Sequence, residues 1–95
     1  MYVAPSPIVE LNRAVAAGRA FGAAQGLAIV QPLLADPSLL GYPFLPSVHA
    51  ELLADVGRFA EAQSEVERAA ALTKNARERA LLLDRAAAYA RKQLS

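Results

Sequence analysis

Residues 56–82 read VGRFAEAQSEVERAAALTKNARERALL, and the two breaks inside this stretch decide the fold. Gly57 and Arg58 interrupt two helical patterns. Upstream, from about Phe44, Leu45, Val48, Leu52 and Val56 share one stripe, and downstream helical spacing resumes at Phe59 and holds to about Thr73. A joint this short leaves only an antiparallel hairpin, formed by the third and fourth helices of the chain. After the second break, Asn75 is a good N-cap, and Glu78 three residues later completes a capping box for a fifth helix.

Two further helices precede the hairpin. Ser6 caps the first, Pro7 suits its first position, Ile8, Leu11, Ala14 and Val15 fall at helical spacing, and Gly18 is a natural stop. The second runs from about Ala20 to Ala35, with Pro32 either kinking or ending it. Asp36 to Pro43 (DPSLLGYP) has linker composition. Internal repetition ties the halves together. With Gly57, Phe59 and Ala62 set on the turn and second helix of a tetratricopeptide unit, Ala50, Leu53, Val66 and Ala69 take its other small or apolar positions. A shift of 38 residues sets Asn12 and Val15, then Ala24 and Ala28, on an earlier unit, the linker absorbing what exceeds the usual ~34-residue period. The expected fold is all-α: one domain over 1–95, with tetratricopeptide-like hairpins at 6–35 and 44–73 and a capping helix at 75–94, about five helices in a right-handed α-α superhelix. On the fifth helix Ala76, Ala80, Leu83, Ala87, Ala90 and Leu94 form the apolar stripe, and Leu81 projects among charges.

Composition agrees. Of 95 residues 22 are alanine and 14 leucine, which favours helix, while aromatic residues at 6% are too few for a small all-β domain. The absence of cysteine excludes disulfides, thiolate metal sites and cysteine nucleophiles. The longest uncharged run, Ala20 to Ala35, is short for a membrane span of ~20 residues and holds two glycines and a proline. No positive charge precedes Pro7, as a signal peptide would require, so the expected location is cytoplasmic and away from the membrane.

Charge is uneven although the whole chain is +1. Residues 1–73 carry net −3 and residues 74–95 net +4. Arg77, Arg85, Arg91 and Lys92 make a candidate basic face for nucleic acid or an acidic partner, or a solvated face suited to a helix C-terminus. His49, the one histidine, has no metal-ligand spacing around it, the dispersed glycines form no phosphate loop, and Glu61, Glu65 and Glu67 read as a solvated face. No catalytic, metal or cofactor site is expected. Stacked hairpins present their first helices inward, so Asn12, Arg13, His49 and Leu53 are the candidate protein-contact residues.

Three cues in order carry a family resemblance: LNRAV at Leu11 to Val15, DPSLLGY at Asp36 to Tyr42, and ALTKNARER at Ala71 to Arg79. Nearly the whole chain resembles the C-terminal helical extension of a group of bacterial extracytoplasmic-function RNA polymerase sigma factors. Pro32 stands where that family continues an apolar helix. The resemblance implies a non-enzymatic regulatory domain, part of something larger, that controls transcription initiation by contacting the sigma module, RNA polymerase or a signalling protein. With neither a promoter-reading sigma region nor a helix-turn-helix, the chain alone is not expected to bind promoter DNA. The competing expectation is a stand-alone tetratricopeptide-like adaptor that binds a peptide or forms a homodimer.

Overall fold

The computed structural model of the chain describes residues 6–94; Ser95 and the uncharged start up to Pro5, read above for a targeting signal, lie outside the described residues. Five α-helices follow in order: α1 Pro7–Phe21, α2 Ala23–Leu33, α3 Phe44–Asp55, α4 Phe59–Leu72 and α5 Ala76–Gln93, with no strand among the described residues. The fold is all-α, and none of these helices is long and apolar enough to cross a membrane.

Helix α1 begins as its capping residue dictates, with the Val9 N–H donating to Ser6 Oγ at 3.2 Å and Pro7 at the first position. It does not stop at Gly18. The helix runs on to Phe21, and Gly22, at φ 105°, makes the turn. Gly18 serves packing instead, because a methyl group there would lie 2.8 Å from Leu52 Cδ2. On α2, Gly26 does the same: a methyl group there would meet the Ala14 carbonyl oxygen and Leu52 Cδ2, each at 2.9 Å. The two glycines form a notch that receives Leu52. Pro32 ends α2 rather than kinking it, the helix closing one residue later at Leu33.

The expected linker is more than a linker. Asp36 caps a one-turn 3₁₀ helix, Pro37–Leu39, accepting from the Ser38 N–H at 2.9 Å and the Ser38 hydroxyl at 2.7 Å. That turn drives Leu39 into the core, and Gly41 at φ 83° brings Tyr42 back against it. The α3–α4 joint is a Schellman motif: the Arg58 N–H donates to Leu53 O and the Gly57 N–H to Ala54 O, both at 2.9 Å, with Gly57 at φ 83°.

Helix α3 is buried on two sides. Leu45, Val48 and Leu52 join Leu11, Ala14, Val30, Leu33 and Leu39 in one core cluster, while Ala50 and Leu53 join Ala62, Val66, Ala69, Ala70, Leu82 and Ala86 in a second. The described residues form a slab of 51 × 31 × 19 Å, with a radius of gyration of 13.6 Å against about 12 Å for a compact globule of this length.

Two register expectations change. Gly26, Val30 and Leu33 on α2 are buried at the places of Ala62, Val66 and Ala69 on α4, an offset of 36 rather than 38 residues, and the expected Ala24 and Ala28 are exposed. On the first helices the buried Leu11 and Ala14 match Leu45 and Val48 at an offset of 34, so no single shift aligns both members of the pairs. On α5 the buried face is Leu82, Ala86 and the half-buried Tyr89, not the stripe of Ala76, Ala80, Leu83, Ala87, Ala90 and Leu94, where Ala90 is half-buried and the other five are exposed. Val48 and Leu52 recur 34 residues on as Leu82 and Ala86, whereas Ala50, sealed against α4, has the exposed Asp84 as its counterpart. The outer face of α5 is therefore wet.

Asn75 caps α5 as expected, accepting from the Glu78 N–H at 2.9 Å, but the reciprocal half of the box is absent. The Asn75 N–H donates to Thr73 Oγ1 at 3.2 Å instead of to Glu78. Arg79 then reaches back to the C-terminus of α4, with Nε donating to Ala70 O at 3.1 Å and Nη2 to Thr73 O at 2.7 Å. Its guanidinium satisfies carbonyls the helix leaves open and sits at the negative end of the helix dipole.

Alanine at Gly26 should destabilise the domain by about 1–3 kcal/mol in urea unfolding, because backbone blocks the new methyl. At Gly18 the methyl meets only the movable end of Leu52, and the helix-propensity gain of ~1 kcal/mol should hold the Gly18→Ala change within about 1 kcal/mol of the parent. Arg79→Met should cost about 1–2 kcal/mol in the same assay.

Candidate functional site

Two hollows flank α3. The first is a cleft between α1 and α3 with a cavity volume of about 130 Å³. Val15, Gly18, Val48 and Leu52 make its apolar floor, and Arg19, Glu51 and Asp55 its charged rim. Its position follows from the notch: Gly18 lets α1 approach Leu52, and one turn of α3 sets Glu51 and Asp55 side by side above that contact. Glu10, Glu61 and Glu65 are each bound by an arginine three residues away in the chain. Arg19, Glu51 and Asp55 enter no ion pair among the described residues. At Tyr89 on α5, burial pushes the phenol up, Arg85 opposes this, and Glu51 and Asp55 add to it. The inner side of α5 thus stands within electrostatic reach of the acidic pair on α3.

The second hollow lies between α3 and α4, lined by His49, Leu53, Ala60, Glu61, Ser64 and Glu65. Across it His49 Nδ1 and Glu65 Oε2 are 2.6 Å apart, and Arg68 holds Glu65 through Nε and Nη2, both at 3.0 Å. Burial works to raise the Glu65 carboxyl, but the hydrogen bonds from His49 and Arg68 outweigh it and hold the pKa at about 2. An ionised carboxylate only accepts, so the His49 Nδ1–H donates to it. Glu65 is therefore not part of a plain solvated face, as its helical spacing implied. Ser64 lines the same hollow but makes no hydrogen bond to His49. The pair is an interhelix clamp between α3 and α4.

Of the sequence-based contact residues, His49 and Leu53 come together at the α3–α4 hollow, and Asn12 and Arg13 stand apart from them on α1. Asn12 is exposed on α1, and Arg13 is bound to Glu10 on the same helix, Nη2 to Oε2 at 2.6 Å. His49 faces α4 rather than the α1–α3 cleft, and Leu53, only 1% exposed, reaches no more than the back of the second hollow. The cleft residues Arg19, Glu51 and Asp55 were missed; the signal available was the i, i+4 spacing of Glu51 and Asp55 on the unburied side of α3.

The basic residues of α5 are all exposed. Arg85 acts on Tyr89, while Lys92 Nζ lies 5.7 Å from the Phe59 ring centroid, and that ring also packs against Tyr89 with centroids 6.2 Å apart. Among the described residues no group of three or more His, Cys, Asp or Glu could hold a metal ion.

No family model matches the chain, and no solved structure matches it. It is 42% identical over 90 residues to uncharacterized protein R00370 of Rhizobium meliloti (strain 1021), in an alignment that takes in 95% of this chain. The chain spans 19% of the length of that relative.

Because the Glu65 pKa is lowered, its contribution to stability is complete above its ordinary value of 4.5 and is lost as pH falls toward about 2. The wild type should exceed Glu65→Gln by about 1–3 kcal/mol at neutral pH, and thermal melts should show that gap closing across this acid window.

Proposed function

We propose that this chain is a non-catalytic interaction domain, similar to the C-terminal extension of an extracytoplasmic-function sigma factor, that acts in the cytoplasm to control transcription initiation through protein contacts. The observation that carries this reading is the α1–α3 cleft, where Arg19, Glu51 and Asp55 surround an apolar floor without pairing to one another. Charges held on rigid helices at the edge of an apolar depression suit recognition of a protein surface: the apolar part supplies affinity and the charges orientation. A cavity of about 130 Å³ is also small beside the ~300–1,000 Å³ of small-molecule sites. The ordered sequence cues at Leu11 to Val15, Asp36 to Tyr42 and Ala71 to Arg79 supply the choice of partner. Two of them are structural in use. Asp36, Leu39 and Gly41 build the inserted turn, and Asn75 and Arg79 seal the α4–α5 joint.

The immobilised domain should capture a separately expressed sigma module of this group with Kd on the order of 10 µM or tighter. Glu51→Lys should abolish capture while Arg13→Ala should not, since Arg13 is occupied by Glu10. Absence of capture at several times that concentration would remove the sigma-contact reading and leave the adaptor.

A further inference from the structure

Resting on that reading, we infer that the α1–α3 cleft takes a single lysine or arginine side chain from a segment of the partner protein, its aliphatic stem on the apolar floor and its cationic head between Glu51 and Asp55. Size is the first argument. A volume of about 130 Å³ admits one long side chain and not a helix or a row of residues. Its lining is the second: Val15, Val48 and Leu52 form an apolar base, and the two carboxylates stand only at the mouth. A long apolar stem ending in a charge matches that gradient, because Lys and Arg lay their methylenes on apolar surface while the head stays near water. A leucine would leave the carboxylates unmatched, and an acidic residue would be repelled by them.

Charge complementarity points the same way. The three rim charges sum to −1, and most other acidic side chains near α3 and α4 are already paired with arginine, Glu61 with Arg58 and Glu65 with Arg68. The acidic pair is therefore the part of this region still able to bind a cation. Arg19, on the opposite wall, favours an acidic neighbour beside the inserted residue, so the preferred segment carries both signs with the basic side chain as anchor.

The test uses the whole chain, labelled with ¹⁵N, and three peptides of one amphipathic sequence whose central residue is lysine, acetyl-lysine or glutamate. With the lysine peptide, amide shifts should concentrate at Val15, Gly18, Glu51, Leu52 and Asp55, and binding should weaken as salt is raised. The acetyl-lysine and glutamate peptides, and the lysine peptide on the Glu51→Gln/Asp55→Asn double variant, should bind roughly tenfold more weakly. Both substituted positions are exposed, and a thermal melt of the variant checks that its fold is kept. Equal binding of all three peptides, shifts centred on the α3–α4 hollow, or unchanged binding by the double variant would overturn the inference. Sigma-module capture separates the two readings. Capture that survives in the double variant keeps the proposed function and discards this anchor, and lysine-peptide binding without capture does the reverse.

Discussion

Leu52 in the notch of Gly18 and Gly26 is the contact on which the rest of the molecule depends. Its two methyl groups sit where methyls on α1 and α2 would otherwise be, which draws three helices together at one point. The demand for a missing Cβ is strictest at Gly26, where the Ala14 carbonyl as well as Leu52 would meet it, and both glycines lie inside helices, where glycine costs ~1 kcal/mol relative to alanine. The offset is the burial of Leu52 itself and of the cluster around it, Leu11, Ala14, Val30 and Val48 among them. Because α3 is pinned there, its opposite face is available to α4, and Ala50 and Leu53 start the second cluster. One helix serves two cores, which is why six of its twelve residues are buried.

The second half is held differently. Helices α4 and α5 meet through alanines, so they approach closely but bury little per residue, and polar contacts finish the joint. Arg79 closes the end of α4, Phe59, Tyr89 and Lys92 stack at the far end, and on the α3 side of α4 His49 and Arg68 grip Glu65. An alanine-rich interface has few shape constraints of its own, and these directional contacts supply the missing specificity. The same geometry leaves the α1–α3 side open, so the cleft is a consequence of where α3 had to be pinned.

Much of the fold was legible in residues 56–82. Gly57 ends a helix because only a positive φ completes the Schellman turn, and Asn75 starts one because its side chain can accept from the third residue on; both are local rules that need no neighbour. Gly18 misled for an instructive reason. A glycine that ends a helix and a glycine that admits a side chain from another helix look the same along the chain, and only Leu52 tells them apart. The facing of the contact residues was equally out of reach: His49 and Leu53 lie on a first helix, but the second core turns them toward α4 and away from the α1–α3 cleft.

By itself the sequence determined that the chain is helical, where most of its helices start and stop, and that α3 and α4 form a tight hairpin, because caps, turns and alanine content act over a few residues. Tertiary structure alone decided which faces are buried. Helix α5 carries two apolar stripes, Ala80, Leu83 and Ala87 on one side and Leu82, Ala86 and Tyr89 on the other, and hydrophobicity does not choose between them. The choice falls to the second because Tyr89 meets the Phe59 ring and Arg79 meets the end of α4, contacts between residues 6 to 30 positions apart that exist only once the helices are stacked.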